Sequence, residues 1–101
     1  AETIRNFLVN NPGNFPTLEE MAARLKMGAR TLRRRLVEEK VSYQQILDQT
    51  RQELAIQYLR HTALTPKEIG FLLGYSSVSN FRRAFKGWTG QTLSEVRGEA
   101  A

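Results

Sequence analysis

The sequence predicts an all-α protein in which two helix-turn-helix subdomains are joined by a long central helix, with about seven helices in all. Apolar residues recur at helical spacing along the chain, and no segment alternates in the way a strand would. In a capping box, a hydroxyl and a carboxylate three residues later each accept a hydrogen bond from the backbone amide of the other residue. The sequence contains this pattern at Thr17-Leu18-Glu19-Glu20 and again at Thr65-Pro66-Lys67-Glu68. We therefore expect segments 1–41 and 63–101 to fold alike around a linker helix at 42–62, all within one functional domain.

The first segment is expected to contain three helices, at about 2–9, 18–25 and 29–39. Asn11-Pro12-Gly13 ends the first helix, and Lys26-Met27-Gly28 separates the second from the third. The apolar side chains expected on the inner faces are Ile4, Phe7, Leu8, Met21, Ala22, Leu25, Ala29, Leu32 and Leu36.

The central helix is predicted between Ser42 and Thr62, where neither Gly nor Pro interrupts the helical spacing. The Ser42 hydroxyl suits an N-cap, and Pro66 limits any extension. A helix of roughly 18 residues would be about 27 Å long. Arg51 and Glu53 have apolar neighbours, so we expect them to form a structural ion pair or a local tether. The apolar residues of this helix are Ile46, Leu47, Leu54, Ala55, Tyr58 and Leu59.

The second segment follows the same order as the first. A helix begins at Pro66, Gly74-Tyr75-Ser76-Ser77 forms the break, and a further helix is expected at about 78–88. Thr89-Gly90-Gln91-Thr92 ends that helix, and one or two last turns are expected at 93–97. The apolar residues expected to face inward are Ile69, Leu72, Leu73, Val78, Phe81 and Phe85.

The similarity of the two segments can be followed residue by residue. Before the break the offset is 48 residues, and the aligned positions are Thr17, Glu20, Met21, Ala22, Leu25 and Met27 with Thr65, Glu68, Ile69, Gly70, Leu73 and Tyr75. After the break the offset is 49 residues, and Leu32, Arg33, Arg34 and Leu36 align with Phe81, Arg82, Arg83 and Phe85. The small residue at Ala22 and Gly70 is expected where two steeply crossing helices touch.

Composition restricts the kinds of function the chain can have. The 101 residues carry a net charge of +5, which favours a polyanionic partner such as nucleic acid. There is no Cys and only one His, which excludes disulfides, thiol catalysis and Cys-based zinc sites. Without a His pair or a glycine-rich phosphate loop, we predict neither an enzyme nor a metal or cofactor site. No apolar run is long enough to span a membrane.

Helical geometry places most of the basic residues of two helices away from the core. In the helix at 29–39 the side opposite the apolar residues carries Arg30, Thr31 and Arg34, with Arg33 and Arg35 on the flanks. In the helix at 78–88 the corresponding side carries Ser79, Asn80, Arg83 and Lys86, with Arg82 on a flank. Arg can donate two hydrogen bonds to guanine, and Asn can pair similarly with adenine. Arg35, Arg82 and Lys86 are better placed for phosphates.

Three interpretations of these faces remain open on this pattern. A single arginine-rich helix can simply be a solvated surface, but two such helices in a repeated helix-turn-helix frame favour nucleic-acid binding. A helical interaction module that presents its basic faces to an acidic protein is the main alternative. In the third interpretation one helix-turn-helix reads bases, and the other only clamps the DNA backbone.

The residues of the second segment resemble a known family. IGFLLGYSSVSNFRRAFKGWTGQT is similar to the second motif of the AraC/XylS transcription regulators, with matches at Ile69, Gly74, Tyr75, Ser79, Phe81, Arg83, Phe85, Lys86, Gly90, Thr92 and Arg97. LEEMAARLKMGARTLRRRL and the central helix, at Arg51, Glu53, Ala55 and Leu59, also resemble that family. The chain departs from the family pattern at Gly28, Gly70, Leu93 and Val96.

The resemblance implies a homeodomain-like, sequence-specific double-stranded DNA-binding domain of a bacterial regulator. By position it implies base contacts from Arg30, Arg33, Arg34, Ser79 and Arg83, to which the helical geometry adds Asn80. Thr31, Arg35, Ser77, Arg82 and Lys86 are the expected phosphate contacts. It further implies a cytoplasmic, nucleoid-associated activator cut from a longer protein, with RNA polymerase as a possible partner and an effector or dimerisation domain upstream.

The length of the central helix agrees with two neighbouring major grooves as the target. Successive grooves on one DNA face lie about 34–36 Å apart, and a rod of about 27 Å with its flanking helices nearly spans that distance. A slightly short rod would bend the DNA toward the protein. The sequence does not identify the operator, the regulated genes, the effector or the oligomeric state.

Overall fold

The computed structural model describes residues 2–13 and 15–98. Within these residues it contains helices and no strand, as the sequence predicts. The helices are α1 (Glu2–Asn10), α2 (Leu18–Arg24), α3 (Ala29–Glu38), α4 (Tyr43–His61), α5 (Pro66–Leu72), α6 (Val78–Thr89) and α7 (Leu93–Arg97). None of them is both long enough and apolar enough to cross a membrane. Residues 99–101 of the predicted segment 63–101 lie outside the described residues, as do residues 1 and 14 of the predicted segment 1–41.

Side-chain caps explain why the helices begin where they do. In both predicted capping boxes the Thr amide donates to the Glu carboxylate, at 2.8 Å for Thr17 and Glu20 and at 2.9 Å for Thr65 and Glu68. The return bonds, from each Glu amide to the Thr hydroxyl, measure 3.1 and 3.2 Å. The predicted starts of α2 and α5 are therefore confirmed, because these caps satisfy amides that have no partner inside the helix.

Two further capping boxes were not predicted from the sequence. Ser42 caps α4 as expected, but its own amide also donates to the Gln45 side-chain oxygen at 2.8 Å. Thr92 and Glu95 form the same reciprocal pair at the start of α7, at 2.8 and 3.1 Å. Four of the described helices, α2, α4, α5 and α7, thus begin with a capping box, and this explains why each of them starts at a defined residue.

The chain divides into two compact units, Ala1–Thr50 and Arg51–Ala101, and the border falls inside α4. In the first unit α1, α2, α3 and the beginning of α4 surround one core. The Tyr43 hydroxyl donates to the carbonyl of Pro16 at 2.6 Å, which ties the start of α4 to the segment before α2. The buried residues of this core are Ile4, Leu8, Met21, Ala22, Leu32, Leu36, Tyr43, Ile46 and Leu47.

The second unit has a core that is richer in aromatic residues. Phe81 and Phe85 of α6 are completely buried, and Tyr75 packs on Phe81 with ring centroids 5.6 Å apart. Trp88 contacts both Tyr75 and Phe85. The other buried residues of this unit are Leu54, Ala55, Leu59, Ile69, Leu73 and Leu93.

Most expected inward-facing residues are buried, with differences at helix ends. Five of them are only half-buried, namely Phe7, Leu25, Ala29, Leu72 and Val78. Phe7, Leu25 and Ala29 still pack against the core of the first unit. The prediction that Leu25 and Val78 are fully buried is wrong. The reason is their position: Leu25 is the C-cap of α2, and Val78 is the first residue of α6. Thr50 was not predicted as a core residue, yet it is fully buried, and its hydroxyl donates to the Ile46 carbonyl at 2.8 Å.

The turns between the two helices of each motif share one backbone conformation. Lys26 and Gly74 occupy equivalent positions with φ of 58° and 92°. The next amide returns to the preceding helix, from Met27 to the Ala22 carbonyl at 3.0 Å and from Tyr75 to the Gly70 carbonyl at 2.9 Å. This bond satisfies a carbonyl at the end of the helix. The repeat seen in the sequence is therefore also a repeat in backbone geometry.

Candidate nucleic-acid interface

The first basic face is formed by α3, which packs on α2. Leu32 and Leu36 are buried in the core of the first unit, so the opposite side of α3 faces solvent. Arg30 and Arg34 are exposed on that side, and Thr31 between them is half-buried. The structure thus confirms the predicted orientation of the two arginines and places Thr31 closer to the core.

Arg33 lies on the α2 side of this face. Its Nη2 atom is 3.9 Å from the Oε1 atom of Glu19, and the two side chains are 63% and 67% exposed. An ion pair this open is screened by water and contributes little. Arg33 can therefore exchange Glu19 for another hydrogen-bond acceptor with little loss of free energy.

Arg35 lies on a different side of α3 from Arg34. Although exposed, it lines a cavity of about 200 Å³ together with Thr3 and Ile4 of α1 and with Glu39. Arg35 therefore lies on the side of α3 that is next to α1. This location agrees with a flanking role more than with a place among the outward-facing arginines.

The second basic face is formed by α6, which packs on α5 and α7. Because Phe81 and Phe85 are completely buried, the other side of the helix is exposed to solvent. All five of the predicted contact residues within the helix are exposed, four of them on this side and Arg82 on its flank, and α6 contains no acidic residue. These exposed side chains are Ser79, Asn80, Arg82, Arg83 and Lys86.

Local hydrogen bonds hold both ends of α6. The Ser77 hydroxyl accepts the Asn80 amide at 3.2 Å, so Ser77 is the N-cap. A hydroxyl that accepts one hydrogen bond can still donate its proton to another group. At the other end, Lys86 Nζ donates to the Gly90 carbonyl at 3.1 Å.

The α3 helix has a weaker start than α6, because its N-cap is Gly28 and no side-chain hydrogen bond forms there.

Residues outside the basic face fix the position of α6. A Cβ atom added to Gly70 would lie 3.1 Å from the Cβ of Phe81, so α5 and α6 approach closely at this point. Arg51 Nε donates to the Leu73 carbonyl at 3.2 Å, and its guanidinium lies 5.7 Å from the Tyr75 ring centroid. The expected tether role of Arg51 is confirmed for the end of α5 and the turn.

Arg97 has a structural role that the sequence analysis did not identify. Its Nε donates to the Leu59 carbonyl at 3.0 Å, and its Nη2 donates to the Leu64 carbonyl at 2.7 Å. Longer bonds reach the carbonyls of Tyr58 and Thr62, at 3.4 and 3.3 Å. Arg97 thus caps the C-terminus of α4 and holds the segment that leads into α5. Only its place in the family pattern marked it in the sequence.

Among the described residues no group of His, Cys, Asp and Glu side chains could hold a metal ion. Two large apolar residues, Val37 and Phe71, are exposed within the described part of the chain and lie outside every apolar stripe predicted from the sequence. Phe71 of α5 has 78% of its surface exposed, while its neighbours Ile69 and Gly70 are buried.

Comparison with known protein families identifies the repeated motif. A family model described as a helix-turn-helix domain matches residues 21–99. The ornithine utilization regulator of Pseudomonas aeruginosa is 48% identical over 94 residues, which cover 93% of this chain and 28% of the regulator. The HTH-type transcriptional regulator VqsM of the same organism is 42% identical over 96 residues, which cover 95% of this chain and 30% of VqsM. The chain therefore spans less than a third of the length of these relatives.

Solved structures show the same architecture. A DNA-binding transcriptional dual regulator from Escherichia coli K-12 superposes with a TM-score of 0.87 at 30% identity, covering 94% of this chain and 86% of the other. The transcriptional regulator CdpR from Pseudomonas aeruginosa superposes with a TM-score of 0.79 at 37% identity, covering 94% of this chain and 31% of the other. The DNA-binding domain of AdpA, solved in complex with a target DNA, superposes with a TM-score of 0.81 at 21% identity, covering 96% of this chain and 88% of the other. At this low identity the similarity shows only that the fold is shared.

Proposed function

Because the chain belongs to the AraC-type family of helix-turn-helix transcription regulators, we propose that it binds double-stranded DNA in a sequence-specific manner. In this proposal α3 and α6 are the recognition helices and enter adjacent major grooves. The supporting observation is that the second helix of each motif buries its apolar side and exposes an arginine at the equivalent position, Arg34 and Arg83. A second helix with this exposure is the element that reads base edges in helix-turn-helix proteins.

The exposed side chains divide into two roles by their chemistry. Arginine and asparagine suit guanine and adenine in the major groove, and serine can pair with either. We assign base contacts to Arg30, Arg33, Arg34, Ser79, Asn80 and Arg83. The remaining cations and hydroxyls suit phosphates, which set the register of the protein without reading sequence. We assign these contacts to Thr31, Arg35, Ser77, Arg82 and Lys86.

The wider setting of the domain is part of the same proposal. The matched relatives are more than three times as long as the region they share with this chain, which supports a place within a longer regulator. There the segments 1–41, 42–62 and 63–101 act as two reading units and a linker, downstream of an effector or dimerisation domain. The regulator acts as an activator that contacts RNA polymerase, in the cytoplasm at the nucleoid. The domain itself is non-enzymatic and uses no cofactor.

A binding selection from random duplex DNA at near-physiological salt tests this function. Two enriched boxes about 10–10.5 bp apart, centre to centre, are the expected result if both helices read bases. A single box would make the second unit a backbone clamp. Absence of enrichment with a folded domain would overturn DNA recognition and favour an acidic protein partner.

Substitutions then test whether α3 and α6 both read bases. On the selected duplex, Arg34→Ala and Arg83→Ala should each weaken binding by about 1–3 kcal/mol and relax specificity at one position. Arg60→Ala is a matched control, because Arg60 is exposed near the end of α4 and outside both faces. Equal losses for all three variants would indicate a general charge effect and contradict the assignment.

A further inference from the structure

Phe71 is exposed in a way that core packing does not explain. It has 78% of its surface in contact with solvent, and the buried side of α5 is formed by Ile69, Gly70 and Leu73. Val37 is the other large apolar residue that is exposed within the described part of the chain. A single exposed apolar residue needs no explanation, but one that borders a concavity is a candidate contact.

That concavity lies between α5 and the turn that precedes α6. It measures about 380 Å³ and is lined by Lys67, Phe71, Tyr75, Ser76, Ser77 and Val78. Lys67 and Phe71 are one helical turn apart on α5, so they follow each other along one side of the helix. The lining contains one cation, two serine hydroxyls and two aromatic rings, and no acidic residue.

The concavity is continuous with the proposed reading face of α6. Ser77 lines the concavity and is also the N-cap of α6, two residues before Ser79. Its hydroxyl accepts the Asn80 amide and keeps a proton that it can donate outward. A duplex that reaches Ser79 and Asn80 with its base edges therefore brings its backbone close to Ser77.

We propose that this concavity holds one phosphate and its deoxyribose from the DNA backbone. The Lys67 ammonium neutralises the phosphate, and Ser76 and Ser77 donate hydroxyl hydrogen bonds to its oxygens. The ring of Phe71 packs against the apolar side of the sugar. The contact rests on the proposed DNA binding and adds residues that fix the register of α6 without reading bases. The continuity of the lining with α6, through Ser77, is what favours the DNA backbone over a protein segment as the occupant.

The first test measures affinity against salt for two duplexes, the selected site and a scrambled one. Lys67→Gln should weaken binding to both duplexes by the same factor and reduce the salt slope by about 0.9, the value for one phosphate. Phe71→Ala should weaken both severalfold and leave the slope unchanged. Lys40→Gln is the matched control, because it removes the same charge from an exposed site in the other unit and should leave the slope unchanged. Thermal melting confirms that each variant is folded.

A chemical substitution locates the contact on the DNA. Neutral methylphosphonates are placed one at a time along the backbone of the selected duplex. Several positions should weaken the wild-type domain, one for each phosphate that it contacts, and at one of these positions Lys67→Gln should lose nothing further. If wild-type protein binds the duplex but neither Lys67→Gln nor Phe71→Ala changes affinity or slope, the backbone contact is overturned. Failure of the wild-type domain to bind DNA is a different result, and it would overturn the proposed function itself.

Discussion

Gly70 and Phe81 form the closest approach between α5 and α6. A Cβ atom at Gly70 would lie 3.1 Å from Phe81 Cβ and 3.2 Å from Phe81 Cδ2, which is tighter than ordinary van der Waals contact. Both residues are completely or almost completely buried, so Phe81 has neighbours that limit its movement. The position of α6 on α5 therefore depends on a small residue at position 70.

Enlarging Gly70 should reveal how closely the two helices are fitted. Gly70→Leu places atoms beyond Cβ against the Phe81 ring and should lower the free energy of unfolding by about 1–3 kcal/mol. Gly70→Ala should change it by less than about 1 kcal/mol, because a gain of similar size in helix propensity offsets the small shift of Phe81. Urea unfolding measures both values. A Leu variant as stable as wild type would show that α6 moves freely on α5.

The two equivalent turn residues should respond in opposite directions to exchange. Lys26 has φ of 58°, a conformation that costs an L-residue energy, whereas Gly74 adopts φ of 92° without a side chain. We expect Lys26→Gly to stabilise the protein by about 0.5–1 kcal/mol and Gly74→Ala to destabilise it by about 1 kcal/mol or more. Thermal and urea unfolding of the pair tests this, and a loss of stability in both variants would contradict the shared turn geometry.

The uncapped start of α3 is a second site where stability can be gained. Gly28 has φ of −78°, and a Cβ added there would meet no atom within 4 Å. Gly28→Ser should supply the missing cap and stiffen the unfolded chain, which together stabilise the protein by about 0.5–1 kcal/mol. Ser77→Ala is the converse change on α6 and should cost about 1 kcal/mol. An unfolding midpoint that Gly28→Ser leaves unchanged would show that solvent already satisfies those amides.

Removal of the Arg97 guanidinium should loosen the connection between α4 and α5. Arg97→Ala leaves the Leu59 and Leu64 carbonyls without this donor, and we expect a loss of about 1.5–3 kcal/mol in the free energy of unfolding. Arg97→Lys should recover only part of the loss, because an ammonium cannot reproduce the planar set of donors. Full recovery by lysine would show that charge alone matters at the end of α4.

The capping box at α5 should make stability depend on acid pH. The Thr65 amide and then its hydroxyl hold the pKa of the Glu68 carboxyl below its ordinary value of 4.5. A lowered folded pKa means that the charged cap stabilises the protein above pH 4.5 and that this stabilisation is lost as pH falls through the folded value. Glu68→Gln should therefore melt below wild type at pH 7, and the two melting temperatures should converge in acid. A constant difference across this range would contradict the assignment.

Local sequence signals were sufficient to predict the helices and the orientation of the basic faces. The boundaries of α2 and α5 follow from capping boxes, which involve residues only three positions apart. The outward direction of Arg34 and Arg83 follows from helical periodicity once the buried residues on the same helix are known. The capping boxes at Ser42 and Thr92 were also present in the sequence as hydroxyl and Gln or Glu pairs, but they were not recognised.

The sequence by itself determined where each helix begins, which side of it is buried and which side is basic, because these properties depend on neighbours within one or two turns. Only the tertiary structure decided that Arg97 caps α4 across 38 residues, that Arg35 lies beside α1, and that Phe71 borders a concavity with Ser77. Such contacts join residues far apart in the chain. Their geometry depends on how whole helices pack, and helical periodicity does not contain that information.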